Sequence, residues 1–146
     1  MRYIRKILPA LALASLVAGC AHGPTSQLLK TVPYQSVNAD LYWSEGYPRA
    51  TVGPWATATS RCGLSALAKV TIITRPDHGT ARLETKEGHW SFDADNEFSR
   101  CNGLPVRGPF VVYRPERGFS GEDQLAFRVH FVNGEVRIVK VNLHVH

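Results

Sequence analysis

The chain has 146 residues, of which 44% are hydrophobic and 20% charged, a balance that suits one globular domain and excludes wholesale disorder. Its formal charge of +5 is front-loaded: Arg2, Arg5 and Lys6 precede every acidic residue, and the other 14 basic residues face 12 acidic ones, a net +2 that excludes a nucleic-acid-binding signature. No apolar run reaches the roughly 18 residues of a mature membrane span.

The elements follow in chain order. Arg2, Arg5 and Lys6 form a basic head, and residues 7–17 are apolar except for Pro9 and Ser15, the shape of a secretory signal. Small and polar residues follow, Gly23, Pro24, Thr25 and Ser26 among them, and read as a tether over 20–33. The domain is placed over 34–146, long enough to bury a core. Leu64 and Leu67, three apart, offer one turn of helix within 63–69. Everything else reads as strand. Residues 70–73 are β-branched and end at Pro76-Asp77; 80–84 follow a glycine; 90–92 alternate; 110–113 run into Pro115. Leu125, Phe127, Val129 and Phe131 alternate with polar or small residues, and Asn133-Gly134 predicts a two-residue type I′ hairpin. The return strand carries Val136, Ile138, Val139, Val141, Leu143 and Val145, with a slip of phase at Ile138-Val139. A two-residue turn pairs Phe131 with Val136 and Val129 with Ile138. One extra residue near Phe127, a β-bulge, then pairs Phe127 with Val141.

Val17-Ala18-Gly19-Cys20 closes the leader and resembles the bacterial lipoprotein signal. The resemblance implies removal of residues 1–19 and a diacylglycerol thioether on Cys20, which becomes the first residue. Small residues before the cut let the peptidase approach the backbone. Several acyl chains, at about 0.8 kcal/mol per buried methylene, make a stable membrane anchor. Ala21 stands where an Asp would act as a retention cue, so resemblance to enterobacterial sorting implies the outer membrane. With Cys20 taken by lipid and an oxidising destination, Cys62 and Cys101 remain to form one disulfide. Closing a loop of about 40 residues stabilises by about 4 kcal/mol through chain entropy.

Two further stretches carry a second resemblance. Pro76-Asp77-His78-Gly79-Thr80 is a turn entering a strand. Residues 113–129 follow the pattern Tyr-x-Pro, then Gly118-Phe119-x-Gly121-x-Asp123, then alternating apolar positions. Over residues 68–146 this resembles the bacterial immunoglobulin-like, cadherin-like repeat domains of secreted adhesins. The resemblance implies an all-β, immunoglobulin-like antiparallel β-sandwich of about seven strands. Within it Pro115 ends a strand, Gly118 and Gly121 permit a tight corner, Phe119 plugs the sandwich end, and Asp123 accepts amides of the corner. These residues specify architecture, not activity. The chain departs from the family in having one copy, a long span between Thr80 and Tyr113 that holds Cys101, and an unmatched segment with Trp43, Trp55 and Cys62.

Candidate sites are few. Asp93, Asp95, Asn96 and Glu97 space oxygen ligands as a calcium loop does, but Phe98 stands where such a loop needs Gly; a polar capped loop is the competing reading. His144 and His146 share a strand face, while His130 lies too far along the hairpin to join them on one metal ion; His78 and His89 read as structural or solvated. No serine has a nucleophile-elbow context, so no catalytic residue, metal or cofactor is assigned. Tyr34, Tyr42, Trp43, Tyr47 and Trp55 crowd the N-terminal quarter; core packing accounts for two, and a shelf for a glycan or protein partner would account for the rest. The hairpin's outer face is the last candidate. The expected register sends Phe127, Val129, Phe131, Val136, Ile138 and Val141 inward, sets Arg128 opposite Lys140 and His130 opposite Arg137. Those four would form a basic strip for an anionic envelope component or another envelope protein, or else a solvated face. The leading expectation is therefore a non-enzymatic envelope lipoprotein with a binding or structural role. The alternatives are a small envelope enzyme or enzyme inhibitor acting on peptidoglycan or proteases, and a secretion-machine or pilus-assembly accessory.

Overall fold

A computed structural model describes residues 33–146. The leader, Cys20 and the tether up to residue 32 lie outside the described residues. Nine strands follow one another: β1 (Tyr34–Leu41), β2 (Ala50–Val52), β3 (Ala56–Ala58), β4 (Leu64–Leu67), β5 (Lys69–Thr74), β6 (Gly79–His89), β7 (Pro105–Pro115), β8 (Gly121–His130) and β9 (Val136–Val145). They form a four-stranded sheet in the order β1-β9-β8-β5, a three-stranded sheet in the order β2-β7-β6, and a separate β3-β4 ribbon. With the ribbon set aside, seven strands lettered A to G in chain order give sheets A-G-F-C and B-E-D. That is the immunoglobulin-like Greek key with its first strand moved to the partner sheet. The number matches the expected seven or so, and β5 to β9 contain the runs expected at 70–73, 80–84, 110–113 and in the hairpin; β1, β2 and the β3-β4 ribbon had no strand assigned from the sequence. One pairing departs from the expected antiparallel rule: β1 runs parallel to β9, with Tyr34 beside Ile138 and Leu41 beside Val145.

Period-two alternation builds the core. Leu125, Phe127 and Val129 of β8 meet Val139, Val141 and Leu143 of β9 on the inner face, each at most 1% exposed. Each such side chain contributes about 1.5–3 kcal/mol on burial. Val111 and Tyr113 of β7 face them from the other sheet, and Trp55 sets its edge against Phe127, ring centroids 5.5 Å apart.

The hairpin register differs from the expectation. Phe131 N–H donates to the Glu135 carbonyl at 2.9 Å and Gly134 N–H to the Phe131 carbonyl at 3.0 Å. Only Gly134 has positive φ, 84°, so the loop is a three-residue turn closed by a left-handed glycine and not a type I′ turn. The extra residue therefore sits in the turn, and β8 pairs with β9 without a bulge: Val129 with Arg137, Phe127 with Val139, Leu125 with Val141. Val136 and Ile138, expected inward, share the outer face with His130 and Arg128. The irregularity lies instead on the other side of β8, between Ile72 and Thr74 of β5.

Two local expectations are also corrected. Residues 63–69 form β4 and the start of β5, because pairing with β3 outweighs a weak leucine spacing. Residues 90–92 are not a strand: β6 ends at His89, though Trp90 still donates to the Leu104 carbonyl at 2.9 Å and accepts from Gly103 N–H at 3.0 Å.

The β3-β4 ribbon and the loop between β6 and β7 pack on each other. Cys62 in the β3-β4 turn is bonded to Cys101 in the loop between β6 and β7, Cα atoms 5.3 Å apart. Around the disulfide, Ala56, Ala58, Trp90 and Val106 form a second apolar cluster, with Phe92 and Phe98 at its rim. Trp90 Nε1–H donates to the Cys62 carbonyl at 3.1 Å, and Arg100 reaches across to the Ser60 carbonyl at 2.9 Å. The stretches 76–80 and 113–129 also meet. Asp123 accepts from the amides of Asp77 and His78, each at 3.0 Å, so two of its partners lie in the Pro76 turn and none is an amide of residues 116–121. Phe119 closes the end as expected: it packs on the core, stacks on His78 at 4.4 Å, and its carbonyl accepts Trp43 Nε1–H at 2.7 Å.

Candidate binding face

The outer face of the four-stranded sheet is an ordered array. Residues in register lie side by side, and rows along one face are about 6.7 Å apart. One end is cationic: Lys69 pairs with His130, and Arg128 lies between Thr71 and Ile138. Lys140 comes next, between Ala126 and Ser36. A row of amides follows, Gln124, Asn142 and Asn38. The far end holds Glu122, His144 and Asp40. The row exists because polar positions on β1, β8 and β9 fall on the same phase of alternation once the register is fixed.

The far end is internally paired. His144 Nε2 lies 4.0 Å from Glu122 Oε1, His146 Nε2 lies 3.6 Å from Asp40 Oδ1, and the Tyr42 ring stacks on His146 at 4.7 Å. Asn142 Nδ2 donates to Asn38 Oδ1 at 2.8 Å and to Ser36 Oγ at 3.2 Å. The cationic end is different. Among the described residues Lys69, Arg128 and Lys140 make no ion pair.

No family model matches the chain. No curated protein matches it either. One solved structure, of a Vibrionaceae Photobacterium sp. JT-ISH-224 2,6-sialyltransferase in ternary complex with CMP and lactose, is 12% identical with a TM-score of 0.35. The match covers 80% of this chain and 18% of that one, so this chain spans under a fifth of that enzyme's length.

The expected basic strip is thus partly regrouped. Arg128, His130 and Lys140 share the outer face, but Arg128 is opposite Ile138 and Lys140 opposite Ala126. Arg137 is not with them. It pairs with Val129 on the inner side at the sandwich end, its Nε 2.6 Å from Glu135 Oε1 and its guanidinium 5.2 Å over the Phe131 ring. Lys69 takes its place. Sequence reasoning missed Lys69 because no local signal pairs residue 69 with residue 130; that contact depends on which strand borders β8.

The N-terminal aromatics are divided between packing and surface, with Tyr34, Tyr42 and Tyr47 exposed. Trp55 is buried, Trp43 is tied to the Phe119 carbonyl, and Tyr47 donates to the Pro115 carbonyl at 2.7 Å with its ring edge-on to Trp43. Tyr34 and Tyr42 are exposed, but they stand at opposite ends of β1, about 26 Å apart by strand rise. Residues 93–97 form a turn in which Asn96 Oδ1 accepts the Phe98 amide at 2.8 Å, the polar capped loop of the competing reading. Among the described residues no group of three or more His, Cys, Asp or Glu is placed to hold a metal ion.

Proposed function

We propose that this chain is a lipid-anchored, non-enzymatic binding module of the bacterial cell envelope that holds an anionic envelope component on the outer face of its four-stranded sheet. The cluster of Lys69, Arg128 and Lys140 on one exposed face, unpaired among the described residues, carries the reading. These cations sit on adjacent rows and not directly opposite one another, so their mutual repulsion is modest and their combined field favours an anion over the face. Arg128 offers a bidentate contact to a carboxylate or phosphate, and the lysines offer point charges. The lipoprotein-like Val17-Ala18-Gly19-Cys20 supports the anchor and, by the absence of an Asp after Cys20, the outer membrane. The Cys62–Cys101 disulfide supports an oxidising destination.

Two measurements test the proposal. Cys20→Ser should release the protein from membranes or stop its maturation; a serine variant that still gains lipid mass would refute the anchor. Lys69→Glu with Arg128→Glu should abolish association with anionic envelope fractions at low salt, where surface charges act over about 10 Å or more. Arg137→Glu, on the other side of the sheet, should leave it intact. Equal losses in the two variants, or no loss in either, would overturn the assignment to this face.

A further inference from the structure

We infer that the anionic partner is an acidic oligosaccharide lying along the strand direction, its hydroxyl groups on the amide row of Gln124, Asn142 and Asn38 and its acidic group on Lys140 and Arg128. This rests on the cationic-face reading above and adds the class of partner. The amide row is the first reason. Asn142 Nδ2 is occupied by Asn38 and Ser36, which leaves Asn142 Oδ1, Asn38 Nδ2 and both ends of the Gln124 amide without a hydrogen-bond partner among the described residues. Donors and acceptors therefore alternate across the row, and turning any amide over leaves the same mixture. A hydroxyl donates and accepts, so neighbouring sugar hydroxyls match that mixture. A phosphate is mostly acceptor oxygens with one or two P–OH donors, so it matches the mixture less well and the acceptor oxygens of the row repel its charge.

The far end of the face is the second reason. Glu122 and Asp40 lie on the same surface as the cations, two rows from Lys140. A flat anionic membrane, or a polymer charged at every unit, would meet those carboxylates along with Lys140. A ligand with one acidic group sets its charge on Lys140 and Arg128 and turns only its neutral remainder toward the carboxylates.

Shape is the third. A concavity of about 480 Å³ surrounds the amide row, and the carboxylates of Asp77, Glu122 and Asp123 that also line it suit the neutral, hydroxyl-bearing part of the ligand; a second of about 150 Å³ shares Gln124 and Lys140 with it and reaches Tyr34. The first is within the few-hundred to thousand Å³ range of ligand sites. Tyr34 is 62% exposed and offers its ring to the apolar face of a sugar. The face itself is about 14 Å across four strands and about 27 Å along five rows, some 400 Å². A standard protein partner covers about 800 Å² per side, so the face suits a narrower ligand.

The test uses the full-length lipidated protein in detergent and titration calorimetry. The probes are an aldotetraouronic acid (one glucuronate on xylotriose), xylotriose itself, inorganic phosphate, and phosphatidylglycerol vesicles. The aldotetraouronic acid should bind at least tenfold more tightly than xylotriose. Asn38→Ala with Gln124→Ala, both at exposed positions, should weaken it about tenfold, the loss of one or two hydrogen bonds, with thermal unfolding unchanged. Arg128→Glu should remove the advantage over xylotriose. If the amide variant binds as tightly as wild type while Arg128→Glu does not, the oligosaccharide inference fails and the cationic face stands. Tighter binding of phosphate or vesicles than of the acidic sugar likewise overturns the oligosaccharide and leaves the cationic face. No binding of any anionic probe overturns both.

Discussion

The Tyr113 hydroxyl donates to Oδ2 of Asp123 at 3.0 Å, and this bond joins the end of β7 to the start of β8 inside the sandwich. Both residues are buried, Tyr113 at 1% and Asp123 at 8% exposure. The same carboxylate holds the amides of Asp77 and His78, and the Asp123 Oδ1 atom also accepts Gln124 N–H at 2.8 Å. One side chain thus fastens the turn before β6 to the corner after β7.

Asp123→Ala should destabilise the domain by about 3 kcal/mol, since it removes a charged acceptor that the buried Tyr113 hydroxyl and the amides of Asp77 and His78 share. The midpoint of urea unfolding measures this. A midpoint equal to wild type would mean that other contacts hold the Pro76 turn.

Tyr113 gives a pH dependence. Burial first, then the hydrogen bond to Asp123 and its charge, raises the hydroxyl well above its ordinary value of 10.0. A group whose folded value is raised contributes stability that is fully present below the unfolded value and is lost as pH climbs toward the folded one. The contribution is therefore intact up to about pH 9 and declines above about pH 10. Tyr113→Phe should be less stable than wild type at neutral pH, because Asp123 loses a donor. It should also lose less stability between pH 9 and 11. Parallel pH profiles for the two proteins would contradict the assignment.

Cys62→Ala with Cys101→Ala should cost about 4 kcal/mol by chain entropy, for a separation of 39 residues. The loss should be uneven. Hydrogen exchange should accelerate at Trp90, Gly103 and Leu104, whose backbone bonds border the small cluster, while Val129 and Val141 in the main core keep their protection. Uniform acceleration would mean that the ribbon and the sandwich unfold as one unit.

Gly79→Ala should cost about 1–3 kcal/mol. A methyl there would meet the Arg114 carbonyl at 2.5 Å and the Tyr113 ring at 2.5 Å, and the carbonyl is backbone that cannot swing aside. The glycine of the Pro76–Thr80 motif is thus required by the close approach of β7. Thermal unfolding checks this, and an unchanged Tm would show that the two strands can separate without loss.

Some of this protein was determined by the sequence alone. Alternation with period two specifies strands without reference to distant residues, and Leu125 to Val129 were placed inward by it. Gly118, Gly121 and Pro115 fix a corner through their own backbone preferences. Cys62 and Cys101 could be paired by counting. The tertiary structure decided what depends on partners. A one-residue difference in the turn at Asn133-Gly134 changes the face of the residues that follow it, so it moved Arg137 inward and Val136 and Ile138 outward, while Val141 stayed inward and Lys140 outward as the expected bulge had them. The choice of β5 as neighbour brought Lys69 beside His130, and the parallel pairing of β1 with β9 set Asn38 beside Asn142. Those juxtapositions join residues 61 and 104 positions apart, and no local propensity encodes contacts of that range, because register and strand order are settled by the packing of the whole sandwich.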